Sequence, residues 1–163
     1  MNYSYKGKIL ISTPDISGDI FSRSVVIIVD HNNEGAFGLI LNKKNKNMSE
    51  RLHAIFGFAV DVYEGGPVEN DKIFFISKGK KITENFSEIS EEFYLTEDIE
   101  SVVTGMIEEQ ISVDEIKVFS GYSGWASKQL ESEVQRKMWT VVEVYNLDYT
   151  LPNDESLWKS IMQ

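Results

Sequence analysis

The chain has 163 residues, no cysteine and a formal net charge of −10, with 42% hydrophobic and 12% aromatic residues. That length allows one domain whose core needs no covalent staples, and the missing thiols exclude both a disulfide framework and a thiolate zinc site. The acidic balance weighs against nucleic acid as a partner, because the sequence-independent part of that affinity comes from lysine and arginine neutralising phosphates.

The opening Met1-Asn2-Tyr3-Ser4-Tyr5-Lys6 lacks the basic patch and apolar run of a secretory signal. No apolar segment approaches the roughly 20 residues of a membrane span. The expectation is a soluble cytoplasmic protein with no membrane partner. Ile9-Leu10-Ile11 is a first strand that Pro14 stops, since proline cannot donate to a ladder, and residues 15–22 form a loop carrying Gly18. Residues 25–29 and 36–41 then make two apolar runs divided by a turn with asparagine and glycine, the pattern of a β-hairpin. Neither run alternates apolar with polar, so both strands are expected to be covered on both faces. Gly38, inside the second run, marks either close packing or a surface facing a ligand.

Ser49 is placed to cap a short helix over 50–56, with Leu52, Ile55 and Phe56 on its inner side and Gly57 as its stop. Strands over 58–63 and 73–77 flank a turn at Glu64-Gly65-Gly66-Pro67-Val68. Residues 79–90 read as polar and irregular, and 93–95 as a short strand. Thr96 opens the clearest helix, in which Ile99, Val102, Val103, Met106 and Ile107 share a face. Residues 116–120 form a strand that Gly121-Tyr122-Ser123-Gly124 turns into a helix over 125–137, with Ala126, Leu130 and Val134 as its stripe. A strand over 139–145 and a C-terminal helix starting at Asp154 or Glu155, with Leu157, Trp158 and Ile161 inward, complete the chain. The class is α+β: a single domain with a mixed, largely antiparallel sheet and helices packed on it.

Chemistry is sparsely signalled. The two histidines, His31 and His53, share no metal-ligand spacing, so neither a metal nor a cofactor is expected. His31 is either a turn residue bonded to backbone or an acid–base group. The Gly121-Tyr122-Ser123-Gly124-Trp125 segment resembles a nucleophile elbow in context, yet Trp125 stands where the second glycine belongs. Its amides at a helix start would alternatively form an anion pocket, or the glycines simply allow a tight turn. Arg23 and Ser24 precede the first hairpin strand, where an ion pair to Asp19 or Asp30 competes with anion recognition. Trp125, Gln129 and Glu133 fall in a row at helical spacing, able to line a cleft or to pack on the Gly65-Gly66-Pro67 turn. Lys43-Lys44-Asn45-Lys46 and Lys78-Gly79-Lys80-Lys81 read as solvated loop charge.

Together these blocks resemble the AlgH/YqgE family of small bacterial proteins. The resemblance rests on Gly7 to Ile11 with Pro14; on Phe21, Arg23-Ser24-Val25-Val26, His31, Gly35-Ala36, Gly38-Leu39-Ile40 and Asn42; on Glu64 to Val68; and on Gly121 to Trp125 with Gln129-Leu130-Glu131 and Glu133. Gly18, Lys137 and Ser123 depart from the family pattern, the last where alanine is common, which argues against a serine nucleophile. The resemblance implies an α+β domain and a cytoplasmic location, and it supplies no established activity. The expectation is a non-enzymatic binding or regulatory protein, taking a small polar ligand or a protein partner in a cleft formed by Arg23, Ser24, His31, Asn42, Gly65, Gly66, Tyr122, Ser123, Trp125, Gln129 and Glu133. The alternatives are a transcriptional regulator, or a hydrolase pairing a serine with His31.

Overall fold

A computed structural model describes residues 4–13, 21–79, 84–90, 92–144 and 146–162. The hairpin expected at the centre is there, with β2 over Val25–Asn32 and β3 over Gly35–Ile40. Around it the strands run β6-β7-β5-β8-β3-β2-β1-β9, from β6 (Ser87–Ser90), β7 (Phe93–Thr96) and β5 (Val68–Lys78) through β8 (Ile116–Ala126) to β1 (Ile9–Ser12) and β9 (Trp139–Val142). These pairs are antiparallel. The exception is β4, over Val62–Glu64, which lies parallel to β8.

The lack of alternation in β2 has the expected cause. Val25, Ile27 and Val29 join one core with Ile9, Leu39, Phe74 and Phe119, while Val26 and Ile28 join another with Leu10, Ile40 and Leu130. Every second residue faces the opposite side, and both sides are dry. The second face is covered by three helices. α1 (Lys46–Phe56) and α2 (Ile99–Ile107) bury Met48, Leu52 and Val102 against Val62, Phe75 and Val118, and α3 (Gln129–Gln135) buries Leu130 beside Trp125 and Trp139. α4 (Glu155–Met162) brings Leu157, Trp158 and Ile161 onto the first core, as its spacing predicts.

Several boundaries differ from expectation for identifiable reasons. α1 starts a turn early because the Asn45 side chain accepts from the Met48 amide, while the Ser49 hydroxyl is spent on the Asn45 carbonyl and the Val62 amide. Gly57 ends it with φ 80, as expected. Ile55 and Ile107 point outward, 67% and 74% exposed, so each helix buries a narrower stripe than its apolar pattern suggests. Ser87–Ser90 is an edge strand rather than irregular chain; an edge needs only one dry side chain, here Ile89. Residues 58–61 stay outside β4. The largest correction is at Gly121 to Trp125, which is strand and not a turn: Ser123 to Ala126 pair with Gly38 to Gly35, and the helix that follows is only Gln129–Gln135. Pro14, Asp19, most of the 15–22 loop, Lys80, Lys81 and Tyr145 lie outside the described residues.

Candidate functional site

Strand β8 is where the glycine-bearing segments meet, and geometry explains why they are glycine. Past Leu39, β3 leaves β8 and β4 enters the gap: Ile40 donates to the Gly65 carbonyl, Glu64 to Lys43 and Gly65 to Ser120. The backbones then cross too closely for side chains. A Cβ on Gly65 would run into the Gly121 carbonyl, one on Gly66 into the Tyr122 carbonyl, and one on Gly121, at φ +70, would stand 2.6 Å from the Gly66 oxygen. Gly38 is equally closed in, with the Ile27 carbonyl 2.9 Å from its would-be Cβ. The buried Ser123 hydroxyl donates to the Gly65 carbonyl at 3.0 Å. Tyr122 stacks on Phe37 at 4.8 Å between centroids. Ser123 to Ala126 lie in β8 alongside β3 and not at a helix start, and the Ala126 amide is taken by the Gln129 side chain.

Arg23, Ser24 and Asn42 come together at the entry to β2. Asn42 accepts from the Val25 amide and donates to the Arg23 carbonyl, at 3.0 and 2.9 Å, tying two backbone segments. Ser24 donates its hydroxyl to Phe21 and its amide to the Ser12 hydroxyl. Arg23, at φ 51, reaches Glu155 of α4 at 3.4 Å rather than Asp30, whose carboxylate accepts from the His31 amide. His31 lies toward the other end of β2, apart from this group. The Tyr5 amide donates to its Nδ1 at 2.9 Å and Tyr5 stacks on its ring. Its Nε2 stands 3.2 Å from Glu131. Neither serine bonds the imidazole.

Trp125, Gln129 and Glu133 do meet, though not as a helical row: Trp125 lies on β8, and only Gln129 and Glu133 stand a turn apart on α3. One Glu133 oxygen accepts from the indole N–H of both Trp125 and Trp139, each at 3.0 Å; the other accepts from the Gln129 amide at 2.8 Å. The Gln129 oxygen in turn accepts from the Ala126 backbone amide. One carboxylate thus anchors α3 to β8 and β9 through two buried indoles.

A second region, absent from the expectations above, has the opposite character. A cavity of about 660 Å³ opens beside α1, walled by Ser49, Val60, Val113, Ile116, Leu151 and Pro152. On its wall is Lys117, 3% exposed. The Lys117 ammonium donates to the carbonyls of Leu41 and Leu151 and to Asn153 Oδ1, at 2.6, 2.9 and 2.8 Å, and lies 4.1 Å from the centre of the Tyr63 ring. Those partners are neutral. Among the described residues no carboxylate forms an ion pair with it. Burial pushes Lys117 down to about 7, against the more distant pull of Asp148, with Lys44 acting in the same direction as burial. Burial likewise pushes the Tyr63 phenol up. The charges at the mouth, Lys46, Glu50, His53, Asp61 and Asp114, are exposed and mixed in sign. None of the residues expected to form the cleft lines this cavity, whereas Lys46, Ser49 and His53, noted from the sequence for loop charge, capping and metal spacing, do. The one available signal is a lysine between apolar neighbours, Ile116-Lys117-Val118, in a strand covered on both faces.

Comparison with known proteins gives one consistent result. The sequence profile described as AlgH-like matches residues 9–163. A UPF0301 protein of Cytophaga hutchinsonii is 34% identical over 160 residues, covering 97% of this chain and 88% of its own, and one of Chlamydia muridarum is 32% identical, covering 97% and 85%. The solution structure of the AlgH protein from Pseudomonas aeruginosa superposes with a TM-score of 0.76 at 24% identity, covering 99% of this chain and 92% of that one. A crystal structure from Corynebacterium diphtheriae gives 0.75 at 20% identity, covering 99% and 87%. Both share the fold.

Proposed function

The chain belongs to the AlgH-like family, and on that premise we propose that it is a non-enzymatic binding protein, acting in the cytoplasm, whose ligand enters the cavity beside α1. The observation that carries this reading is Lys117: a cation held in the interior by neutral acceptors only, on the wall of an open cavity. Burying a charge without a counter-charge is expensive, and a cavity of this size with apolar walls and few inward polar groups suits a small molecule. A binding reading also accords with the other region, where Ser24 and Ser123 donate to backbone carbonyls and Glu133 takes two indoles and the Gln129 amide.

The test is a fragment titration followed by amide NMR, with thermal shift alongside. Binders are expected to move the signals of Tyr63, Lys117 and Leu151 and to leave the Trp125 and Trp139 indoles in place. A screen in which no compound perturbs the cavity overturns the reading. Membrane insertion through helices is not part of it, since no helix among the described residues is long and apolar enough to cross a bilayer.

A further inference from the structure

Resting on that reading, we infer that the cavity takes a monocarboxylate with an apolar tail, and that its carboxylate takes over one of the Lys117 hydrogen bonds now held by Leu151 and Asn153. Two of the three acceptors on the ammonium, the Leu151 carbonyl and Asn153 Oδ1, come from one short stretch of chain. Because both oxygens sit on that one stretch, a single displacement frees two N–H groups together, one of them for a carboxylate oxygen. The third acceptor, the Leu41 carbonyl, sits at the end of β3 in the core and stays.

The stretch that would yield is lightly held. The Leu151 and Pro152 side chains are exposed at the mouth, and apart from Lys117 the tie on Asn153 is its amide to the Tyr63 hydroxyl at 3.2 Å. Moving it exposes little apolar surface, while the incoming anion supplies the counter-charge that the neutral acceptors do not. The bonds from the ammonium to neutral oxygens are already charge-assisted; a carboxylate adds the attraction of an ion pair in a site shielded from water.

The walls select the rest of the molecule. Val60, Val113, Ile116 and Val118, which keep their places when residues 151–153 move, favour an aliphatic or aromatic body over a sugar or nucleoside. A dianion such as a phosphate monoester would bring a second charge with no buried partner, and Glu50, Asp61 and Asp114 at the mouth disfavour it further. One buried cation fits one negative charge.

The experiment compares octanoate with octanamide, both below their aggregation limits, and with inorganic phosphate, on the wild-type chain. Octanoate is expected to bind at least about tenfold more tightly than octanamide, because an ion pair replaces a charge–dipole contact in a site shielded from water, and to shift the Leu151 and Asn153 amide signals. Phosphate is expected not to compete at equal concentration. The substitution Lys117→Met should erase the preference for the acid; the comparison of acid with amide stands on the wild-type chain even where that variant does not fold. Equal binding of octanoate and octanamide, or octanoate shifts confined to other surfaces, overturns the carboxylate assignment and leaves the cavity as a site for neutral molecules. No response from octanoate, octanamide or the fragment set overturns both.

Discussion

The crossing of β4 over β8 at Gly65 and the cavity over Lys117 share one strand, and their polar groups are served in opposite ways. At the crossing, and in the Glu133 network beyond it, donors meet acceptors of suitable charge and number: one carboxylate takes two indoles and an amide, and one asparagine takes a backbone amide and a carbonyl. Such groups are finished; a ligand would have to break a satisfied bond to reach them. At Lys117 the geometry is satisfied and the charge is not. The residues that make the family recognisable from sequence therefore hold strands and helices together, and the residue most able to attract a ligand lies in a strand with no recognisable motif.

Substitution sharpens this contrast. Gly66→Ala is expected to have the largest effect, because the new methyl would overlap backbone that cannot move without parting β4 from β8. A loss of about 3 kcal/mol or more, or failure to fold, is expected from overpacking of this kind. Chemical denaturation measures it, with Gly124→Ala, whose added methyl would meet only the Tyr122 ring, at 3.4 Å, as the mild control. A Gly66→Ala protein with wild-type stability would mean that the crossing is loose.

Glu133→Ala comes next. It leaves two indole N–H groups without their acceptor and frees Gln129, for about 2–6 kcal/mol at roughly 1–3 kcal/mol per orphaned buried donor. The fluorescence of the tryptophans should change with it. A Glu133→Ala protein that keeps its stability yet loses octanoate would instead connect α3 to binding and erase the division between the two regions.

The pH dependence of Lys117 is smaller per unit and opposite in sign to that of most lysines. Its pKa in the folded chain is about 7, below the ordinary value of 10.5, so between those limits the unfolded chain binds the proton more strongly than the folded one. Stability should accordingly rise with pH across that window, by at most about 1.4 kcal/mol per unit. Burial chiefly sets its midpoint, which Asp148 raises and Lys44 lowers. Urea melts from pH 6.5 to 9.5 measure the slope, and Lys117→Met should flatten it. Arg23→Ala marks the small end of the scale: its pair with Glu155 is half exposed, and exposed pairs are worth within about 1 kcal/mol.

How much was legible follows the range of the interactions involved. The hairpin, its double burial, the stop at Gly57 and the inward face of α4 could all be foreseen, because each rests on a run of neighbours or on one local backbone rule. The Gly121 to Trp125 segment could not. A glycine-rich stretch before a helical pattern looks like a turn, and only the presence of Gly35 to Gly38 alongside makes it strand. Likewise the spacing of Gln129 and Glu133 showed that they share a side of the chain, but not that Trp125 and Trp139 would take the same carboxylate oxygen. The site expectation drew on residues of unusual type; the structure adds Lys117, whose type is ordinary and whose surroundings are not.

Apolar runs, chain-reversing residues and helical spacing determine which segments become strands and helices and which faces they bury, because burial of apolar surface is read locally along the chain. The amino acid sequence by itself therefore determined the class, the central hairpin and the family. Where a buried charge finds its partners was decided only by tertiary structure. Lys117 is bonded by Leu41, Leu151 and Asn153, residues far from it in the chain, and the energy of a charge depends on everything packed around it.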